Sequence, residues 1–173
     1  MQEYFAKEKR NNEFILTSQD EFHIEKVLRM KQGSHIVVTY MGEKYDCIVS
    51  FSGGIKININ SKLNVDNELK TDVTLIYGLP KKDKFELVIQ KTCELGVKRI
   101  VPYLAKRSIP ILDEKNSDKK MQRWQMIAKE ACEQSKRNYE VDISLPVSLN
   151  GILDYKSELN IIDLNSKHNI HQK

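Results

Sequence analysis

Two rhythms of apolar and polar positions divide the chain. In the first third the period is close to two. Tyr45-Asp46-Cys47-Ile48-Val49-Ser50-Phe51 and Ile55-Lys56-Ile57-Asn58-Ile59 alternate, and Ser34 to Tyr40 is rich in β-branched residues. Such runs predict half-buried strands. Met41-Gly42 and Ser52-Gly53-Gly54 mark turns between them, and Asn12 to Thr17 is a further short apolar run. Short strands joined by tight turns predict a small β-barrel. One helix interrupts it over Ser18–Met30: Ser18 with Glu21 three residues on is a capping pattern, and Gly33 follows as a stop. Phe22, Val27 and Met30 are its expected apolar face.

Ser61 to Thr71 is polar and reads as a linker. Beyond it the period changes. Val73 to Gly78 is a compact apolar run, the pattern of a buried parallel strand. Asp83 and Glu86 open a helix that Gly96 stops, with Phe85, Leu87, Val88, Ile89 and Cys93 as its buried stripe. Val97 to Leu104 predicts a second strand. Ser117 or Asp118 opens a long helix to about Arg137, with Met121, Trp124, Ile127, Ala128 and Ala131 at helical spacing. Leu159 to Leu164 predicts a third strand. Strand, helix, strand, helix, strand is an α/β pattern with a parallel sheet. The expected fold is therefore a β domain over residues 1–68 followed by an α/β domain over 71–173.

Composition narrows the setting. The chain has 173 residues, 40% hydrophobic and 30% charged, which suits a globular protein. No apolar run reaches the roughly 18 residues a transmembrane helix needs, and the N-terminus is too polar for a signal peptide. Cys47, Cys93 and Cys132 are odd in number and far apart, which argues against a disulfide framework or a metal site. A reducing cytoplasm is the expected location. The net charge of +4 is unevenly spread. Residues 1–70 hold 10 Lys+Arg and 10 Asp+Glu, whereas residues 80–137 hold 15 and 8. A local basic excess suits a phosphate-bearing partner, and equally suits a plain solvated surface.

Ligands of open α/β sheets lie beyond the carboxyl ends of the strands. The first such loop, Tyr77 to Lys84, sets Lys81, Lys82 and Lys84 at a helix start, where free amides also favour phosphate. A solvent-exposed loop is the competing reading. The second, Ala105 to Pro110, sets Arg107 at a strand end, able to grip a phosphate or support an oxyanion. Glu130, Glu133, Gln134 and Arg137 fall at i, i+3, i+4 and i+7 on one helix face, as do Gln90 and Glu94 on the earlier helix; spacing alone favours plain helix support. His23 and Arg29 lie in the N-terminal helix, where His23 either reads RNA or packs at a domain edge. Cys93 and Cys132 fall on buried faces as small core residues. Neither a dinucleotide fingerprint nor a P-loop is present.

Several strings together resemble the RsmE family, the 16S ribosomal RNA uridine-N3 methyltransferases of the SPOUT class. They are Phe22 to Gly33, Gly78 to Gly96, Arg107-Ser108, Arg123-Trp124 and Lys129 to Arg137. The resemblance implies an N-terminal PUA-like β-barrel that helps bind RNA, then a SPOUT-type α/β domain that binds S-adenosylmethionine in a knot. It also implies a homodimer acting on 16S ribosomal RNA. His23, Arg29, Lys81, Lys82 and Lys84 become RNA-binding candidates. Glu130, Glu133, Gln134, Gln90 and Glu94 become candidates for the substrate pocket, and Arg107 or Arg137 for stabilising charge on the base.

The chain also departs from the pattern. Glu3 stands where family members usually carry a basic residue. The glycine-rich loop and later segment that hold the methyl donor in the family are not found before Lys173. The 173-residue chain by itself is therefore expected to transfer no methyl group, and a non-catalytic RNA-binding protein or an inactive fragment is the alternative.

Overall fold

The structure is a computed structural model that describes residues 1–80, 84–104 and 114–161. The period-two segments form one six-stranded sheet in the order β1-β4-β5-β6-β3-β2. Its strands are β1 (Glu3–Phe5), β2 (Glu8–Arg10), β3 (Glu13–Ile15), β4 (His35–Tyr40), β5 (Glu43–Ser50) and β6 (Lys56–Leu63). The turn between β4 and β5 places both Met41 and Gly42 at positive φ, 50° and 81°, the two-residue hairpin geometry that matches strand twist. The edges of the sheet meet through one continuous segment. Ala6 N donates to Thr39 O and Lys7 N to Ile15 O, both at 2.9 Å, so the chain passes from β4's side to β3's and curls the sheet into a barrel. Alternate residues line its interior: Ile36 and Val38, Tyr45, Cys47 and Val49, and Ile57, with Tyr4, Phe14, Leu16 and Ile24 filling the rest.

The barrel's helix differs from its expected form. Thr17, not Ser18, is the N-cap of α1 (Ser18–Phe22), in a reciprocal box with Asp20. Asp20 N donates to Thr17 Oγ1 at 3.1 Å, and Thr17 N to Asp20 Oδ2 at 3.2 Å. The chain then widens into a π-helical turn over His23–Val27. Widening changes the register. Ile24 is fully buried, while Phe22 and Val27 are 59% and 57% exposed, the reverse of an α-helical face; only Met30 packs on the core as expected.

The second half is built from β7 (Thr74–Gly78), α2 (Lys84–Glu94), β8 (Arg99–Tyr103), α3 (Glu114–Gln134) and β9 (Asp142–Ile143). The strands form a parallel sheet in the order β7-β8-β9. Phe85, Ile89 and Cys93 of α2 meet Trp124, Ala128, Ala131 and Cys132 of α3 in one core. Phe85 and Trp124 make an edge-to-face pair at 4.7 Å. The architecture is the expected β-barrel followed by an α/β unit, with four corrections. Leu87 is exposed rather than part of the α2 stripe, which consists of Phe85, Ile89 and Cys93 with Val88 packed at its side. The residues of β7 are only half-buried or exposed, since β7 is an edge strand. The third strand follows α3 directly at Asp142; residues 159–161 carry no strand, and 162–164 lie outside the described residues. The expected linker is no loose tether: β6 runs into it as far as Leu63, and Glu68 near its end is bonded to Arg137 and Asn138 after α3.

Candidate functional site

The two halves meet along α3. Lys129, inside that helix, is the centre of the contact. Its ammonium donates to both carboxylate oxygens of Asp20, at 2.7 and 2.8 Å, and pairs with Glu133 Oε1 at 2.9 Å. Glu133 Oε1 also accepts the backbone N–H of Phe5, at 3.0 Å. Phe5 itself belongs to the core of the α/β half. Burial opposes charge on Lys129, yet Asp20 and Glu133 outweigh it and raise its pKa. Burial raises that of Glu133 in spite of Lys129.

Beside this cluster, Tyr4 OH and His23 Nδ1 are hydrogen-bonded at 3.0 Å. Burial, reinforced by the carboxylates of Asp20 and Glu133, pushes the Tyr4 phenol well above its usual range. Above the cluster lies a cleft of about 880 Å³ between the α1–π-helical segment and α3. Glu140 closes one side, and the protein around its carboxylate raises its pKa. A smaller depression of about 310 Å³ lies between α2 and α3, lined by Glu86, Leu87, Gln90, Glu130 and Gln134. Glu130 and Gln134 therefore form a ridge shared by both.

The expected site residues separate accordingly. Gln90, Glu130 and Gln134 come together in the smaller depression; His23, Glu130, Glu133 and Gln134 line the cleft. Glu94 does neither and pairs with Lys91 at 2.8 Å. Arg137 does not share the face of Glu130 and Gln134. The helix ends at Gln134, Lys136 turns back at φ 58°, and Arg137 is buried. Its guanidinium donates from Nε to Glu68 Oε1 at 3.2 Å, from a second nitrogen to Glu68 Oε2, and from the third to Val97 O at 2.5 Å. It is a structural bolt between the linker and the α/β core. Asn138 extends the joint, donating to Gly42 O at 2.8 Å and Val65 O at 2.9 Å. Arg29 takes a positive φ of 48° past the π-helical turn, and Lys84 is exposed at the start of α2. Lys81, Lys82 and Arg107 lie outside the described residues.

The basic excess of residues 80–137 is largely neutralised where it is described. Lys91, Lys98, Arg99, Arg123, Lys129 and Arg137 all stand in ion pairs. Sequence reasoning missed Lys129, Asp20, Tyr4 and Glu140. Only Asp20 carried a local signal, its place three residues after Thr17, ahead of the helix.

Residues 67–172 match the family model described as an RNA methyltransferase domain. The chain is 39% identical over 128 residues to ribosomal RNA small subunit methyltransferase E of Bacillus subtilis, covering 72% of this chain and 50% of that protein. It is 34% identical over 154 residues to the protein of the same name from Mesomycoplasma hyopneumoniae, covering 89% and 66%. The chain thus spans between half and two-thirds of the length of these curated relatives. The crystal structure of a ribosomal RNA small subunit methyltransferase E from Neisseria gonorrhoeae, bound to S-adenosyl methionine, superposes with a TM-score of 0.80. That match has 26% identity and covers 91% of this chain and 67% of that one.

Proposed function

The chain belongs to the RNA methyltransferase domain family, and from that premise we propose that it serves the S-adenosylmethionine-dependent methylation of N3 of a uridine in 16S ribosomal RNA. The observation that carries the reading is the agreement in fold across 91% of the chain with a relative of that name bound to the methyl donor. In this reading residues 1–68 are the RNA-binding barrel and 71–173 belong to the methyltransferase domain. The protein works in the cytoplasm, as a homodimer, on the small ribosomal subunit.

In this reading the methyl donor sits in neither the cleft nor the smaller depression, both of which are rich in carboxylates. What these residues supply is orientation. Lys129, Asp20 and Glu133 lock the barrel to α3, so RNA held by the barrel is presented to the α/β half at a fixed angle. Methyl transfer to a base nitrogen depends mostly on such positioning. His23, Arg29, Lys81, Lys82 and Lys84 are the candidate RNA contacts, Gln90, Glu130, Glu133 and Gln134 the candidate pocket residues, and Arg107 the candidate for stabilising charge on the base.

The test is nucleoside mass spectrometry of 16S RNA from cells of the source organism with the gene intact and disrupted. Loss of N3-methyluridine on disruption is the expected result. An unchanged level overturns the reading and leaves RNA binding without catalysis as its replacement.

A further inference from the structure

We propose that the cleft between the α1–π-helical segment and α3 takes an unpaired, amino-bearing nucleobase of the RNA — adenine, cytosine or guanine — separate from the uridine that is methylated. The inference rests on the reading of the chain as an RNA-modifying protein.

Its first support is an exposed apolar rim. Phe22, Val27 and Met126 line the cleft and are 59%, 57% and 44% exposed. The π-helical turn sets two of them there. Leu28 N bonds to His23 O at 2.8 Å, five residues back, so one turn takes up an extra residue. Ile24 then faces the core while Phe22 and Val27, five apart, both border the cleft. Single π-turns are costly to a helix and recur at functional sites. An exposed phenyl ring at a cleft that the His23 imidazole also lines is a stacking surface for a splayed-out base. The His23 ring is already oriented, through Nδ1, by Tyr4.

The second support is the polar lining. Gln2, Gln122 and Gln134 border the cleft, and their side chains make no hydrogen bond among the described residues. A carboxamide offers a donor pair and an acceptor, the complement of a base edge. Charge decides which part of a nucleotide enters. Asp20, Glu130, Glu133 and Glu140 face Lys7 and Lys129 around the cleft, an excess of two negative charges. A phosphate is repelled from that floor. An exocyclic amine, which donates to carboxylates, is not, and uracil has none. Lys7 at the cleft, and Arg29 two residues beyond Val27, form no ion pair among the described residues and remain for the phosphates outside. The volume of about 880 Å³ lies within the range of small-ligand sites and admits a nucleoside.

The test titrates the 173-residue chain with AMP, CMP, GMP, UMP and ribose 5-phosphate, following the aromatic and His23 resonances by NMR. The three amino-bearing nucleotides are expected to bind at least about fivefold more tightly than UMP, and ribose 5-phosphate not at all. Phe22→Ala removes an exposed ring, so its melting curve should match the parent while nucleotide affinity falls by roughly fivefold or more, the scale of one base stack. Gln122→Ala, also at an exposed position, should weaken the same nucleotides without altering the fold. Equal binding of UMP, binding of ribose 5-phosphate alone, or an unchanged affinity in Phe22→Ala overturns the proposal. None of those results bears on N3-methyluridine in the cell, so the broader functional reading stands or falls separately.

Discussion

Lys129 Nζ lies 2.7 and 2.8 Å from the two carboxylate oxygens of Asp20, a partner 109 residues away in the chain. The bond joins α3 to the cap of the barrel's helix. Both side chains are largely buried, at 18% and 8% exposure. Removing one member of a buried pair strands the other's charge. Lys129→Ala is therefore expected to lower unfolding free energy by about 3 kcal/mol, and Lys129→Arg by markedly less. Urea denaturation of both variants decides it; a loss below about 1 kcal/mol in Lys129→Ala would show that the pair is not structural.

Tyr4 gives the joint a pH dependence. Its folded pKa is raised above the ordinary 10.0, by burial first and then by the nearby carboxylates. Below pH 10 the phenol is protonated in both states and its contribution is complete. As pH rises further the unfolded chain ionises first, and stability falls, by up to about 1.4 kcal/mol per pH unit per group. Lys129, also raised above 10.5, adds to the same trend at higher pH. Thermal melts between pH 9 and 11 should show the decline, and Tyr4→Phe should flatten it. An equal slope in the variant would assign the decline elsewhere.

Arg137→Lys tests the bolt between the linker and the α/β core. The guanidinium reaches Glu68 through two nitrogens and Val97 O through the third, a planar spread that the compact ammonium of lysine does not reproduce. The expected cost is about 2 kcal/mol, the scale of buried acceptors left unpaired. Guanidinium denaturation gives the value. Indifference to the change would mean that Glu68 and Arg137 are no more than neighbours.

Phe85 carries the packing between α2 and α3. It is buried against Trp124 and stacked near Tyr77, with centroids 4.7 and 6.1 Å away. Phe85→Ala should cost roughly 3–5 kcal/mol through lost contacts and the cavity left behind. Trp124 is the chain's one tryptophan, so its emission reports the site directly. A red shift together with the stability loss is expected; a stability change below about 1 kcal/mol would place this core outside the folding unit.

The strands of the barrel were legible because a sheet with one buried face imposes a period of two, and Ile36, Val38, Tyr45, Cys47 and Val49 keep it. The parallel strand–helix order was legible for the same kind of reason: α2 shows its stripe at Phe85, Ile89 and Cys93. The strings shared with the RsmE family carried the functional reading further than any pattern could. The joint was not legible. Asp20 meets Lys129, and Glu68 meets Arg137, across 109 and 69 residues, and no local rule links such partners. The helix at residues 18–30 misled because an α-helical wheel cannot anticipate a π-turn, which moved Phe22 and Val27 from core to surface. Hydrophobic periodicity by itself determined which elements form and which faces they bury. The tertiary structure decided which charges meet, which helix turn widens, and hence where the cleft opens, because those outcomes depend on chain segments brought together only when the two halves dock.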